Sequence, residues 1–197
     1  MLKFFHMKSF LRIFVILNLS VFAGCSWLGT KKTVLAEKPS AYVQVVKVAD
    51  ANRIKQGGTI FVNPFNPGPG VVATAELDQS ALMTVKGIID TLKESASKFT
   101  VLESDRAAEA DLIIQGHITK KKKTSRLKRL LFIKNKISME IKGKLIDQKT
   151  GKTVLVFEDF RQRPNKKEAF KELGYSLGED IARVILAETM PAEKEQP

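Results

Sequence analysis

The chain has 197 residues, with 33 Lys and Arg against 21 Asp and Glu, a formal charge of +12, and a hydrophobic fraction of 44 %. This composition excludes a disordered chain, because enough apolar residues are present to build a core. The length suits one domain with tails better than two domains. The charge predicts contact with a polyanion, which is nucleic acid, anionic lipid or an acidic polymer.

The first 24 residues have the pattern of an export signal. Three basic residues, Lys3, Lys8 and Arg12, precede an apolar run from Ile13 to Ala23. This run of 11 residues is too short to cross a bilayer as a helix, which takes about 20 residues. It fits the apolar part of a signal peptide.

Cys25 follows this signal and is the only cysteine, so the chain cannot form an intrachain disulfide. The stretch from Val21 to Cys25 resembles the lipobox of bacterial lipoproteins, with Phe22 where leucine is usual. The resemblance implies cleavage before Cys25 and a diacylglyceryl group on its thiol. Because Ser26 and not aspartate follows, it also implies sorting to the outer membrane. An uncleaved anchor or an ordinary signal peptide is the alternative.

We therefore divide the chain into a signal peptide (1–24), a lipidated N-terminus and tether (25–40), one periplasmic domain (41–188) and a disordered tail (189–197). Removal of the signal takes away three basic residues and no acid, which leaves a charge of +9. Export makes nucleic acid an unsuitable partner. The expected polyanion is then a component of the envelope.

Within the domain, the residue pattern predicts strands over 41–49 and 59–65. It predicts a loop rich in proline and glycine over 63–70. Apolar residues recurring at three- and four-residue steps predict a helix over 75–95. They are Leu77, Ala81, Val85, Ile88, Ile89 and Leu92.

Further along, residues 99–103 predict a short strand, 106–110 a helical turn and 111–119 a strand. Alternation over 136–147 predicts a strand with one solvated face, whose inward residues are Ile137, Met139, Ile141 and Leu145. A turn at 148–151 joins it to a strand over 153–160. Apolar periodicity predicts a closing helix over 167–188, in which Gly174 and Gly178 are expected to pack closely on the sheet.

Strands joined by turns pair antiparallel, whereas the strand before the first helix connects through that helix. The predicted fold class is α/β (α+β), with a mixed, mainly antiparallel sheet of four to six strands and two main helices packed on it.

This order of elements resembles the periplasmic α/β domain of three groups: the curli-secretion lipoprotein, the lipoprotein activators of penicillin-binding proteins, and the N-terminal domain of the Tol-Pal β-propeller protein. It also resembles a lipoprotein group known only as a domain of unknown function. The matching pieces are Thr59–Phe65, Leu77–Ser95, Phe99–Glu103, Ala110–Ile118 and Leu145–Gly151. The resemblance implies a fold and an envelope location but no single function, because these relatives form a pore or contact a synthase.

The sequence offers little for catalysis. His117 is the only histidine after the signal, and we interpret it as a surface or edge residue. A lone histidine does not make a His-based zinc site. The chain has no phosphate-binding loop, dinucleotide fingerprint or Gly-x-Ser-x-Gly. We expect no enzyme, no cofactor and no metal site.

Residues 120–136, called the basic segment below, contain nine Lys or Arg and no acid. They form either a solvated loop between two strands or an interaction site for an anionic membrane, lipopolysaccharide or an acidic protein. The candidate contact residues are Lys120, Lys121, Lys122, Lys123, Arg126, Lys128, Arg129 and Phe132. Phe65, in the loop over 63–70, is a further candidate, although that loop also reads as a simple connector.

The predicted function is that of a non-catalytic lipoprotein of the outer membrane that faces the periplasm. It would bind an envelope protein as an adaptor in secretion, transport or cell-wall synthesis. The alternative is a module that binds anionic lipid or lipopolysaccharide through the basic segment.

Overall fold

The structure is a computed structural model, and it describes residues 37–38, 43–95, 98–123, 136–166 and 168–189, with only the backbone described at 37–38 and 120–123. The chain divides into two units, 1–34 and 35–197, and all described residues belong to the second.

Eight strands of the described chain form one sheet. They are β1 (Glu37–Lys38), β2 (Val45–Val48), β3 (Gly58–Val62), β4 (Asn66–Pro67), β5 (Phe99–Val101), β6 (Leu112–Lys123), β7 (Lys136–Asp147) and β8 (Thr153–Pro164). The order across the sheet is β1-β2-β8-β7-β6-β3-β5, and β4 also pairs with β6. Pairing is parallel between β3 and β5, β3 and β6, and β4 and β6, and antiparallel elsewhere. The predicted fold class is confirmed, and the two-residue strands β1 and β4 add to six longer ones.

The described residues contain three α-helices, α1 (Ala51–Gln56), α2 (Ala75–Glu94) and α3 (Ala169–Ala187), and a 3-10 turn over Ser104–Glu109. α1 and α2 connect strands, whereas α3 follows β8. The start of α2 matches the prediction because Thr74 caps it, its hydroxyl accepting the Leu77 N–H at 3.2 Å. The prediction missed α1. That helix has six residues and one buried side chain, Ile54, which is too little to produce a readable apolar period.

The proline-rich stretch over 63–70 was predicted as a loop, but it contains β4. Asn66 and Pro67 lie opposite His117 and Ile118 of β6. Pro67 has no N–H to donate, and Gly68 instead donates its N–H to the Ile118 carbonyl at 2.9 Å. A strand of two residues that pairs with β6 on one side, as β4 does, therefore tolerates the proline.

The helices α2 and α3 lie on one face of the sheet, which we call the covered face. The side chains predicted to point inward from β7 are fully buried there, as are those of Leu173, Leu177, Ile181 and Ile185 from α3. Burial of this many aliphatic side chains, each contributing about 1.5–3 kcal/mol, is the main stabilising term.

Gly174 and Gly178 face α2, so the prediction that they pack on the sheet is wrong. A Cβ atom at Gly174 would collide with the Ser80 carbonyl oxygen, and one at Gly178 with the Thr84 carbonyl oxygen. From the other helix, a Cβ atom at Gly87 would collide with the Tyr175 carbonyl oxygen. The large residues of α3 occupy the stripe of the helix surface that faces the sheet. The glycines lie beside that stripe, at an angle around the helix axis that faces α2.

We expect Gly178→Ala to destabilise the protein. Alanine in a helix is normally favoured over glycine by about 1 kcal/mol, but here the added methyl group overlaps backbone and must push α2 and α3 apart. The expected loss is about 1–3 kcal/mol in the free energy of unfolding, measured by chemical denaturation. Arg183→Ala, at an exposed position of α3, is the control and should change this free energy by less than about 0.5 kcal/mol. Stability of Gly178→Ala equal to wild type would contradict the packing described.

Candidate functional site

The face of the sheet opposite α2 and α3, called the open face below, carries side chains that are exposed or half-buried. Strand alternation places every second residue of β6, β7 and β8 on it. Its central members are Phe61, Ile113, Gln115, His117, Lys142, Lys144, Ile146, Val156 and Glu158.

Strand register arranges the polar members of the open face in two rows. One row crosses β4, β6, β7 and β8 in the order Asn66, His117, Lys142, Glu158. The next row crosses β6, β7 and β8 in the order Gln115, Lys144, Val156. Directly opposite side chains are close enough to act on one ligand.

Between and around these rows lies a groove of about 720 Å³, a volume within the range of small-ligand sites. Asn63 and Pro64 form its wall at the end of β3. The backbone of Gly116 and Gly143 contributes to its floor. The groove therefore sits over the middle of the sheet, on strands whose backbone groups are already paired.

Gly116 and Gly143 lie directly opposite each other, and aromatic rings press on them from the covered face. A Cβ atom at Gly116 would stand 2.6 Å from the Phe65 ring, and one at Gly143 would collide with the Phe157 ring. The two rings lie 6.5 Å apart, centroid to centroid. Only glycine leaves room for this contact between ring and backbone.

This packing corrects the proposal that Phe65 contacts a partner. Its side chain is 3 % exposed and belongs to the core, where it covers Gly116. The prolines of the stretch over 63–70 therefore do not present the ring to solvent. Pro64 instead lines the groove on the other face.

The two lysines of the groove differ in their partners. Lys142 donates to a Glu158 carboxylate oxygen at 2.7 Å, and its ammonium lies 3.9 Å from Glu140. The hydrogen bond to Glu158 raises the pKa of Lys142, and the charge attraction adds to it. Lys144 is exposed, and no acid of the described residues lies within ion-pair distance of it. Lys144 is therefore the cation of the groove that is available to a ligand.

Most of the predicted site residues lie outside the described residues or have only their backbone described. Cys25, Arg126, Lys128, Arg129 and Phe132 lie outside the described residues, and for Lys120–Lys123 only the strand backbone is described. Their roles stay predictions. His117 is exposed, as its interpretation as a surface residue requires.

The sequence analysis missed the groove, although a signal for it was present. Both strands carry a glycine between two polar residues, Gln115-Gly-His117 and Lys142-Gly-Lys144. The turn at 148–151 indicates the register of β7 against β8, but the two glycines meet across β6 and β7. The connection between β6 and β7 is long, and its register became known from the structure.

Two further charged clusters outside the groove hold the fold together. Arg53 of α1 forms an ion pair with Asp147 at the end of β7 and donates to the Gly57 carbonyl at 2.9 Å. Asp147 also accepts hydrogen bonds from the N–H and the hydroxyl of Thr150, both at 2.8 Å. These contacts lower the pKa of Asp147 to about 2, with the Arg53 hydrogen bond as the largest cause.

The second cluster lies under α3. Arg161 bridges Asp159 at 3.2 Å and Asp180 at 2.7 Å. Burial raises the pKa of both carboxyl groups, and the guanidinium opposes that change.

Within the described chain, no three His, Cys, Asp or Glu residues are grouped so as to hold a metal ion. No helix of the described residues is long and apolar enough to cross a membrane.

Neither a protein-family profile nor a curated protein matches this sequence. Among solved structures, the chain is similar to the PelC dodecamer from Paraburkholderia phytofirmans, with 11 % identity, a TM-score of 0.48 and coverage of 72 % of this chain and 96 % of that one. Similarity extends to a hypothetical protein, CT253, from Chlamydia trachomatis (13 %, 0.42, 66 % and 96 %). It also extends to lipoprotein GNA1162 from Neisseria meningitidis (13 %, 0.40, 64 % and 99 %). Because these TM-scores lie below 0.5, we draw nothing about function from them.

The low pKa of Asp147 predicts how stability responds to acid. A carboxylate whose pKa is lowered by folding stabilises the fold above its unfolded pKa, near 4, and loses this effect as the pH falls toward 2. We expect Asp147→Asn to reduce the free energy of unfolding by about 1–2 kcal/mol at pH 7, with the difference from wild type shrinking between pH 4 and pH 2. Denaturation at several pH values measures this. Asp105→Asn, exposed in the 3-10 turn, is the matched control, and a deficit independent of pH would contradict the assignment.

Proposed function

We propose that this protein is a non-catalytic binding component of the bacterial envelope, held by a lipid on Cys25 at the outer membrane with its domain in the periplasm. It acts as an adaptor in an assembly for secretion, transport or cell-wall synthesis, and the open face is its binding surface. The open face is the observation that carries this proposal.

An apolar row beside the groove supports a binding role for this face. Phe61, Ile113 and Ile146 lie side by side on β3, β6 and β7, and each is only half-buried. Apolar side chains next to polar, hydrogen-bonding groups are typical of surfaces that contact other molecules. The row and the groove together make a continuous strip across five strands, β3, β4, β6, β7 and β8.

The composition of the groove supports a non-catalytic role. A hydrolytic or transfer site needs a nucleophile with a base, or an acid to protonate a leaving group. None of the residues that line the groove is a serine, cysteine, threonine, aspartate or glutamate, so His117 and the two lysines have no hydroxyl, thiol or carboxylate beside them in the lining. The lining residues are suited to donating hydrogen bonds and offering positive charge.

Lipid attachment is tested by Cys25→Ser. We expect this variant to lose metabolic labelling by a fatty-acid analogue and to leave the membrane fraction, because no other thiol is present in the chain. Ser26→Ala is the matched control and should keep its label. A labelled Cys25→Ser protein would overturn the lipid anchor.

The binding role of the open face is tested by cross-linking in cells. A photoreactive amino acid at Ile113 places the probe on the open face. The same probe at Leu82, which is 68 % exposed on α2, is the control on the other side of the domain. We expect one dominant envelope protein to be captured from Ile113 and not from Leu82. Equal, diffuse capture from both positions would contradict the proposal.

The alternative function, binding of anionic lipid or lipopolysaccharide through the basic segment, has one supporting observation. β6 and β7 remain paired out to Lys123 and Ile137, so residues 124–135 connect the ends of two paired strands. In this case charge reversal in the basic segment should abolish binding to anionic vesicles, and the probe at Ile113 should capture no protein.

A further inference from the structure

We propose that the groove on the open face binds an acidic saccharide, with the carboxylate of the sugar on Lys144 and its hydroxyl groups on the carboxamides of Asn63, Asn66 and Gln115. The inference rests on the proposed function in one respect, the use of the open face as a binding surface. It adds the chemical class of the ligand.

The polarity of the groove points to a hydroxylated ligand. Six of the ten lining residues carry hydrogen-bonding side chains, and only Pro64 and Val156 carry apolar ones. Sites for most small organic ligands are predominantly apolar, with a few polar groups. The exposed surface of this lining is more balanced, only somewhat more apolar than polar, because the side-chain stems contribute carbon atoms. This mixture suits a sugar, which presents both C–H groups and hydroxyl groups around its ring.

The three carboxamides are free to bind such a ligand. The side chains of Asn63, Asn66 and Gln115 make no hydrogen bond with any described residue. A carboxamide both donates and accepts, and so does a sugar hydroxyl. His117, in the same row as Asn66, adds a ring that can donate or accept at the rim.

The charge of the groove selects an anion. Lys142 is already paired with Glu158 at 2.7 Å, whereas Lys144 has no ion-pair partner among the described residues. No acid is among the lining residues, and the charge of the neighbouring Glu158 is balanced by Lys142. A hydrogen bond between an ammonium and a carboxylate is shorter and stronger than one between neutral groups, so Lys144 is the residue that should separate acidic from neutral sugars.

The position of the groove argues against an acidic peptide as the ligand. Extended peptides usually add to an exposed sheet edge, where backbone groups await partners. β6 and β7 are internal strands, paired on both sides, so their backbones have no free edge to offer. The two apolar lining residues do not form separate pockets for alternate peptide side chains.

The test is calorimetric titration of the full chain in detergent with a trisaccharide of glucuronic acid. The matched ligands are a trisaccharide of glucose, which lacks the carboxylates, and triglutamate, which lacks the hydroxyl groups. We expect the acidic trisaccharide to bind at least about tenfold more tightly than either. Lys144→Gln should weaken it by about tenfold or more, while Lys144→Arg should retain binding.

Lys152→Gln, an exposed lysine in the turn between β7 and β8, is the matched control and should bind as wild type does. The inference is overturned if the acidic trisaccharide does not bind, or if the glucose trisaccharide binds equally tightly. It is also overturned if Lys144→Gln and Lys152→Gln bind the acidic trisaccharide with the same affinity. Preference for triglutamate would assign the groove to an acidic peptide instead. Each of these results leaves the cross-linking test of the open face unaffected, so the two proposals can fail separately.

Discussion

Contact between the backbones of α2 and α3 sets the architecture of this domain. Gly87, Gly174 and Gly178 remove the side chains that would keep the two helices apart. The hydroxyl of Thr84 turns back onto its own helix and donates to the Ser80 carbonyl at 2.9 Å, so this buried hydroxyl has a partner within the contact. Helices that approach this closely fit side by side over one face of the sheet. Tyr175 adds a hydrogen bond to Asp90 at 3.1 Å across the contact.

The open face is a consequence of this arrangement. With both main helices on one side, the inward residues of three long strands are buried and the outward residues are left to solvent or to a ligand. The pairing of Gly116 with Gly143 works in the same direction, because it lets Phe65 and Phe157 fill the core from the covered face. The strand backbone then forms the floor of the groove, and polar neighbours of the glycines stand along it.

The charged residues that join helices to strands lie outside the groove. Arg53, Asp147, Asp159 and Arg161 are engaged in contacts that join strands to helices. Lys144 takes no part in those contacts, and its charge serves no packing purpose in the described structure. Lys144 makes no ion pair with any described residue, and it lies on a face where three carboxamides make no side-chain hydrogen bond to described residues. These two features distinguish the groove from an ordinary stretch of solvated sheet.

The sequence by itself determined the fold class, the two main helices and the alternation of β7, because apolar periods of 3.6 and 2 residues reflect local geometry that each segment carries alone. It also determined that Cys25 is the only thiol. Only the tertiary structure decided that Gly174 and Gly178 meet α2, that Phe65 is buried, and that Asn66, His117 and Lys142 share one row. These facts depend on which elements become neighbours and on the register of the strands. They could not be predicted because the pairing of residues far apart in the chain leaves no local pattern in the sequence.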